Sequence, residues 1–316
     1  MTLGPLMIDI AGSALDDTDR EALAHPLVGG VILFSRNYVD RAQLSALCAE
    51  IHALRTPPLL IAVDHEGGRV QRFRSGFTEL PPMARLGEAY ARAPRPALAL
   101  VTELGWLMAA ELRAVGVDFS FAPVLDLHSA AMFDVLHHIE RPCRFLTEVQ
   151  RVLNTGGRLI VVEPDITPVS HVFYRAFHPE PDAVGRLAQA FMRGMHAAGM
   201  AAVGKHFPGH GTVHADSHHE LPIDRRPLSR IRHRDLVPFR LLCAAGIDAV
   251  MPAHILFPQV DNVPVGYSAR WIGGVLRGEL EFKGAVFSDY LSMSGAAIGA
   301  SPVERARRAL AAGCDM

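Results

Sequence analysis

An excess of charge of either sign is missing from this sequence: 31 lysines and arginines stand against 33 aspartates and glutamates. A net charge of -2 supplies no field for nucleic acid or an anionic membrane surface, so neither partner is expected. Cysteine is scarce as well. Cys48, Cys143, Cys243 and Cys314 are scattered with no CxxC pair, which favours free thiols in a reducing compartment over a disulfide framework. Long apolar runs are also lacking, since no uninterrupted stretch approaches the roughly 18 residues of a membrane span. The N-terminal MTLGPLMIDIAG has no basic n-region and so does not read as a secretion signal. These absences together lead us to expect a soluble, cytoplasmic protein, and a monomer is expected separately.

What is present is a regular alternation of short apolar runs with longer amphipathic stretches. Strands are expected at Pro5 to Ile10, Val28 to Phe34, Leu59 to Val63, Val117 to Phe121, Met200 to Gly204, Ile247 to Met251 and Ala285 to Phe287. Helices are expected between them, as at Arg41 to Leu54, Leu98 to Val115, Asp182 to Ala198 and Leu236 to Ala245. This is the βα signature, and 316 residues leave room for one α/β barrel of about 250. Polar tails follow the strands: VDHEGGR, FAPVLD, KHFPGH, MPAHI and FSDYLSM. In a (β/α)8 TIM-type barrel they converge on the C-terminal face. Periodicity alone leaves a doubly wound open sheet as a rival. The helix-glycine-strand pattern AAGIDAVM recurs as AAGCDM at the C-terminus, so the barrel is expected to be C-terminally truncated within an eighth strand.

The densest chemistry lies in Gly204 to His219, GKHFPGHGTVHADSHH, which holds five histidines, a lysine and an aspartate. Pro208, Gly209 and Gly211 forbid a helix there, so the cluster is expected on a loop leaving a strand. Three readings stay open from spacing alone. Asp216 can orient His218 as a proton shuttle, with Lys205 and His206 gripping substrate oxygens. Alternatively His206, His210, His214, Asp216, His218 and His219 can ligate a metal, although no helical register aligns them as in a zincin. The third reading is a solvated polar loop. Asp64, ahead of Glu66, Gly67, Gly68 and Arg69, suits the binding of hydroxyl groups, or else an ordinary strand-to-helix turn. Asp289, between GAVF and YLSM, suits attack on an anomeric carbon, or else capping of the next helix.

DHEGGRVQRF, KHFPGHG followed by ADSH, and FSDYLSM, in that order, resemble the signature blocks of glycoside hydrolase family 3. The likeness is to its compact bacterial β-N-acetylglucosaminidases of cell-wall recycling, and it spans residues 1–128 and 175–316. It implies a single (β/α)8 barrel that removes terminal N-acetylglucosamine from muropeptide fragments with retention. No cofactor and no metal are implied. Carried onto matching positions, Asp289 is the nucleophile, His218 the acid/base and Asp216 its dyad partner. Asp64, Arg72, Arg175, Lys205 and His206 take the sugar-binding positions. Tyr290 departs from the family, which usually has a second aspartate there.

A larger departure separates Asp126 from Arg175. Residues 129–174 read as an inserted β-α-β-like segment resembling the C-terminal part of a class I S-adenosylmethionine methyltransferase, through DVLHHI and RVLNTGGRLIVVEP. Methyl transfer is not expected, because no GxGxG cradle precedes Phe133. The insert is instead expected to displace Arg175 and so, with the incomplete barrel, to weaken hexosaminidase turnover. A non-catalytic chimeric product and a metal-dependent hydrolase remain the rival readings.

Overall fold

The frame is a sheet of seven parallel strands. They are β1 (Leu6–Asp9), β2 (Val28–Leu33), β3 (Leu60–Val63), β6 (Phe119–Ser120), β7 (Ala201–Phe207), β8 (Ala249–Pro252) and β9 (Ala285–Val286). A small antiparallel hairpin, β4 (His65–Gly67) and β5 (Val70–Gln71), stands apart after β3. The computed structural model describes residues 3–127, 175–210, 221–296 and 300–316. Each strand of the large sheet pairs with the next one along the chain. A doubly wound sheet would reverse that order at a switch point, so the rival topology is excluded.

Two rings show that the sheet curls. Phe119 on β6 and Phe287 beyond β9 have centroids 5.2 Å apart, although β7 and β8 lie between their strands. Phe121 meets the same ring at 5.7 Å. Only a sheet bent round on itself brings such positions together, and the architecture is an incomplete (β/α)8 barrel. At the far edge, Asp315 N–H donates to Val286 O at 2.8 Å and Ser288 N–H to Met316 O at 2.6 Å. The last residues thus lie where an eighth strand belongs.

The flanking helices are α1 (Asp17–Ala24), α2 (Arg41–Ala53), α3 (Met83–Arg92), α4 (Pro94–Arg113), α5 (Pro181–Ala197), α6 (Leu228–His233), α7 (Leu236–Ala244) and α8 (Pro302–Ala312). A wide-turned helical stretch covers Arg270–Glu279. Asp16, Asp40 and Ser301 cap the starts of α1, α2 and α8 by accepting from Asp19, Gln43 and Glu304 amides. Helices α4 and α5 meet backbone to backbone. A Cβ built on Gly194 would fall 2.0 Å from Thr102 O, and one on Gly105 would fall 2.3 Å from Phe191 O.

A three-residue device recurs at strand entries. In Gly116-Val117-Asp118, Gly246-Ile247-Asp248 and Gly313-Cys314-Asp315, the glycine holds φ of 90°, 82° and 110°, where other residues are strained. The aspartate Oδ2 then accepts from the first amides of the preceding strand: Ile61 at 2.7 Å, Ala202 at 2.8 Å and Val286 at 2.8 Å. It also binds a basic side chain from the helix before that strand. These are His52 at 3.1 Å, His196 at 2.6 Å and Arg277 at 2.9 Å.

One expectation is corrected here. Lys205 and His206 do not sit on a loop, because β7 runs on through Phe207 and buries them at 2 % and 9 % exposure. Their charge and polarity are tolerated inside because carboxylates from other strands meet them, as described below. The expected insertion at 129–174 lies outside the described residues.

Candidate active site

The site is assembled at the C-terminal ends of the strands, where the polar tails converge. Asp64 leaves β3 and Lys205 rises from β7, and their side chains meet with Nζ 2.7 Å from Oδ1. The same Nζ lies 2.7 Å from Glu66 Oε1 on β4. Arg175 closes this network from the far side, its Nε 2.8 Å from Glu66 Oε2 and its Nη2 2.7 Å from Oε1. That is the bidentate fork of a guanidinium on a carboxylate. Arg72 stands further off, its Nη2 3.5 Å from Asp64 Oδ2.

These carboxylates stay ionised against the cost of burial. Desolvation pushes Asp64 upward, but Lys205 first, then Arg72 and Arg175, outweigh it and hold the carboxyl far below its ordinary range. Burial likewise raises Glu66, and Arg175 and Lys205 overcome it, leaving the net direction downward. The cluster therefore presents fixed charges and hydrogen-bonding groups of both kinds, which suits a polyhydroxylated ligand.

The second half of the site centres on Asp126, which follows β6. Its Oδ2 is 2.7 Å from His206 Nδ1, and its Oδ1 accepts from the His206 and His210 amides at 3.2 and 2.8 Å. Burial opposes ionisation of Asp126, yet His206 and His210 bring its carboxyl well below the usual range. A carboxylate only accepts, so Nδ1 of His206 carries the proton and Nε2 is left for a ligand.

Asp289 lies just past β9 and faces His206, His254 and Lys205. Its Oδ1 accepts from the Tyr290 amide at 2.8 Å. Burial raises this carboxyl; the facing His206 and His254 side chains, the Tyr290 amide and Lys205 together bring it below its ordinary value. It is thus an ionised carboxylate at neutral pH, as a nucleophile has to be. Tyr290, in the family's aspartate position, is 51 % exposed beside it.

The structure therefore brings Asp64, Arg72, Arg175, Lys205, His206 and Asp289 together. Asp216 and His218 lie outside the described residues, as do His214 and His219. Arg175 lies within the site, forked on Glu66. Ala176 and Phe177, the next two residues, are 0 % and 1 % exposed, and Phe177 packs on Phe191 of α5 at 6.3 Å. A Cβ on Gly87 of α3 would lie 1.7 Å from Phe177 O, so this chain is pressed against α3 as well. Packing on α3 and α5 holds the chain just after Arg175.

Two site residues, Asp126 and His254, were not singled out from sequence, although Asp126 ends the FAPVLD tail and His254 sits in MPAHI, so their positions after strands were the available signal; Glu66 was named only in the company of Asp64. Among the described residues no group of three or more His, Cys, Asp or Glu side chains is arranged to hold a metal ion.

The glycosyl hydrolase family 3 N-terminal domain matches residues 6–133 and 165–316. A β-hexosaminidase of Thiobacillus denitrificans is 55 % identical over 316 residues, all of this chain and 78 % of the relative. One of Nitrosospira multiformis is 51 % identical over the same span, 80 % of its own length. The crystal structure of NagZ from Neisseria gonorrhoeae in complex with N-trifluoroacetyl-D-glucosamine superposes with a TM-score of 0.82 and 42 % identity, covering all of this chain and 81 % of that one. The doubly matched domain and the identity sustained along the whole chain lead to one assignment: this protein belongs to glycosyl hydrolase family 3.

Proposed function

We propose that the protein is a retaining β-N-acetylglucosaminidase that removes terminal N-acetylglucosamine from muropeptide fragments in cell-wall recycling. The observation that carries this reading is the ionised Asp289 set beside a fixed network of Asp64, Glu66, Arg175, Lys205 and His206. Kinship with β-hexosaminidases, and with a relative crystallised with an N-acylated glucosamine, supports the choice of sugar.

In this mechanism Asp64, Arg72, Arg175, Lys205 and His206 bind the sugar hydroxyls. An Asp289 oxygen then attacks the anomeric carbon while the bond to the leaving oxygen breaks, and His218 supplies the proton that oxygen takes. Asp216 favours the imidazolium form of His218 before the transfer. In the second step His218 takes a proton from water, whose oxygen displaces Asp289 with net retention. No cofactor enters, and the partner is the carbohydrate alone. We read the protein as a cytoplasmic monomer; no helix among the described residues is long and apolar enough to cross a membrane. Residues 129–174 are read as an insertion of methyltransferase-like sequence that contributes no methyl transfer.

A chromogenic N-acetylglucosaminide tests the reading. The parent protein is expected to turn it over, and Asp289→Asn to lose at least about 10³-fold in kcat, as loss of a covalent nucleophile does. His218→Ala should lose about 10²- to 10⁴-fold, the range of general acid–base catalysis. Binding of N-acetylglucosamine without turnover by the parent would favour the non-catalytic alternative, and full activity in Asp289→Asn would refute the role given to that residue.

A further inference from the structure

His254 is a buried titratable side chain that the mechanism above leaves unused. It follows β8, and β8 pairs with β9 so that Val250 lies opposite Val286. His254 lies two residues past the end of β8, and Asp289 lies three past the end of β9. The imidazole is 0 % exposed, and among the described residues neither Nδ1 nor Nε2 has a hydrogen-bond partner. Buried polar nitrogens are almost always paired, so two orphans on one ring call for a reason. One side of the ring is closed off by packing. Tyr267 lies with its centroid 5.9 Å away, and a Cβ on Gly266 would come within 3.6 Å of Cε1 and Nδ1. The charged neighbours are Asp289 and His206, with the Asp289 and Tyr290 backbone also facing the ring.

We propose that His254 is a positioning residue for the nucleophile: its free N–H engages the Asp289 carboxylate as substrate enters and fixes which oxygen faces the anomeric carbon. This rests on the retaining glycosidase reading above and adds a residue to it. Burial holds the imidazole below its ordinary pKa, with Asp289 acting in the opposite direction, so the ring is neutral near pH 7. A neutral imidazole has one N–H to give and carries no charge that would quench the nucleophile. Hydrogen bonds of this kind are often long in a ligand-free site and tighten in the substrate complex. The bond that Asp289 makes to the sugar, and the bond broken to the leaving oxygen, are those already described. His254 neither gains nor loses a proton; it orients the oxygen that attacks and later leaves.

The test compares His254→Leu with His254→Gln in the full-length protein. His254→Leu fills the space without a donor, and His254→Gln retains one N–H group. We expect His254→Leu to lower kcat on the chromogenic N-acetylglucosaminide about 10²-fold, the low end for removing one preorganised donor. The dissociation constant for N-acetylglucosamine should stay within about twofold, since orientation of a nucleophile acts on the reaction step and not on ground-state binding. His254→Gln should recover about tenfold of the lost kcat. An unchanged kcat in His254→Leu would overturn the proposal. So would equal losses in the two variants, or a loss of kcat matched by weaker sugar binding and a lower melting temperature, which marks a structural role only. Full activity in Asp289→Asn would instead overturn the underlying reading, whatever the His254 variants do.

Discussion

Lys205→Met removes an ammonium and keeps most of the stem. Nζ touches Asp64 and Glu66 at 2.7 Å each, and the side chains of Lys205 and Glu66 are both 2 % exposed. At an effective dielectric near 20 each contact is worth about 6 kcal/mol of direct attraction, most of which desolvation cancels. What the substitution leaves behind decides the outcome: two buried carboxylates with one cation fewer. Removing one partner of a buried pair costs about 3–5 kcal/mol. Arg175 still grips Glu66 through two bonds, so the lower end, about 3 kcal/mol, is expected. Urea titration should show a lower midpoint at an unchanged slope.

The pH dependence has a definite sign. In the parent, Asp64 and Glu66 both ionise below their ordinary range, so the unfolded chain takes up protons first as pH falls. Their contribution to stability is full above about pH 5 and is lost through the carboxylate range below it. Without Lys205, burial and mutual repulsion push these carboxyls upward, and protonating one relieves the folded state. The stability gap between parent and variant should therefore narrow from about pH 7 to about pH 4.5. A loss under about 1 kcal/mol, or a gap that widens on acidification, would refute the argument, since a buried charge pair cannot be broken so cheaply.

Two further expectations concern the frame and the chemistry. Gly194→Ala places a Cβ 2.0 Å from Thr102 O and 2.6 Å from Trp106 N, so α4 and α5 must part. A loss of about 1–3 kcal/mol or more in chemical denaturation is expected, and unchanged stability would show that the two helices are not in this contact. Dialysis against a chelator should leave turnover of the chromogenic substrate unchanged; activity lost to the chelator and restored by zinc would return the histidine stretch to a metal-binding role.

The seven expected strands are all present, because each is a parallel strand written as a mostly apolar run bounded by glycine or polar tails, and all but β1 bury residues in the core. What stayed hidden was which tails meet. Lys205 looks like a loop residue in sequence because its partner Asp64 is 141 positions away, and His206 finds Asp126 across 80. Neither pairing is encoded locally, so a lysine at the end of an apolar strand could not be read as buried. Arg175 is a further long-range case: its fork on Glu66 spans 109 positions, and Phe177, packed on α3 and α5, holds the chain beside it. The hairpin β4–β5 was missed as structure although its glycines were read as a turn. At His254 the tail MPAHI pointed to the right face, but only the packing reveals a ring with both nitrogens unpaired.

The Gly-x-Asp triplets lie at strand entries, the end of the barrel opposite the site. Each ties two neighbouring strands and one helix through a single carboxylate, so strand alignment is set unit by unit at that end. Asp118 locks β6 to β3 before the chain reaches Leu127, and Asp248 locks β8 to β7 well after Arg175. Between those two locks β7 aligns with the chain leaving β6 through backbone bonds, Val203 N–H to Ala122 O and Lys205 N–H to Pro123 O. Alignment of the tied strands is therefore held at the end away from the site, which leaves the polar tails at the other end able to change in sequence without shifting those strands.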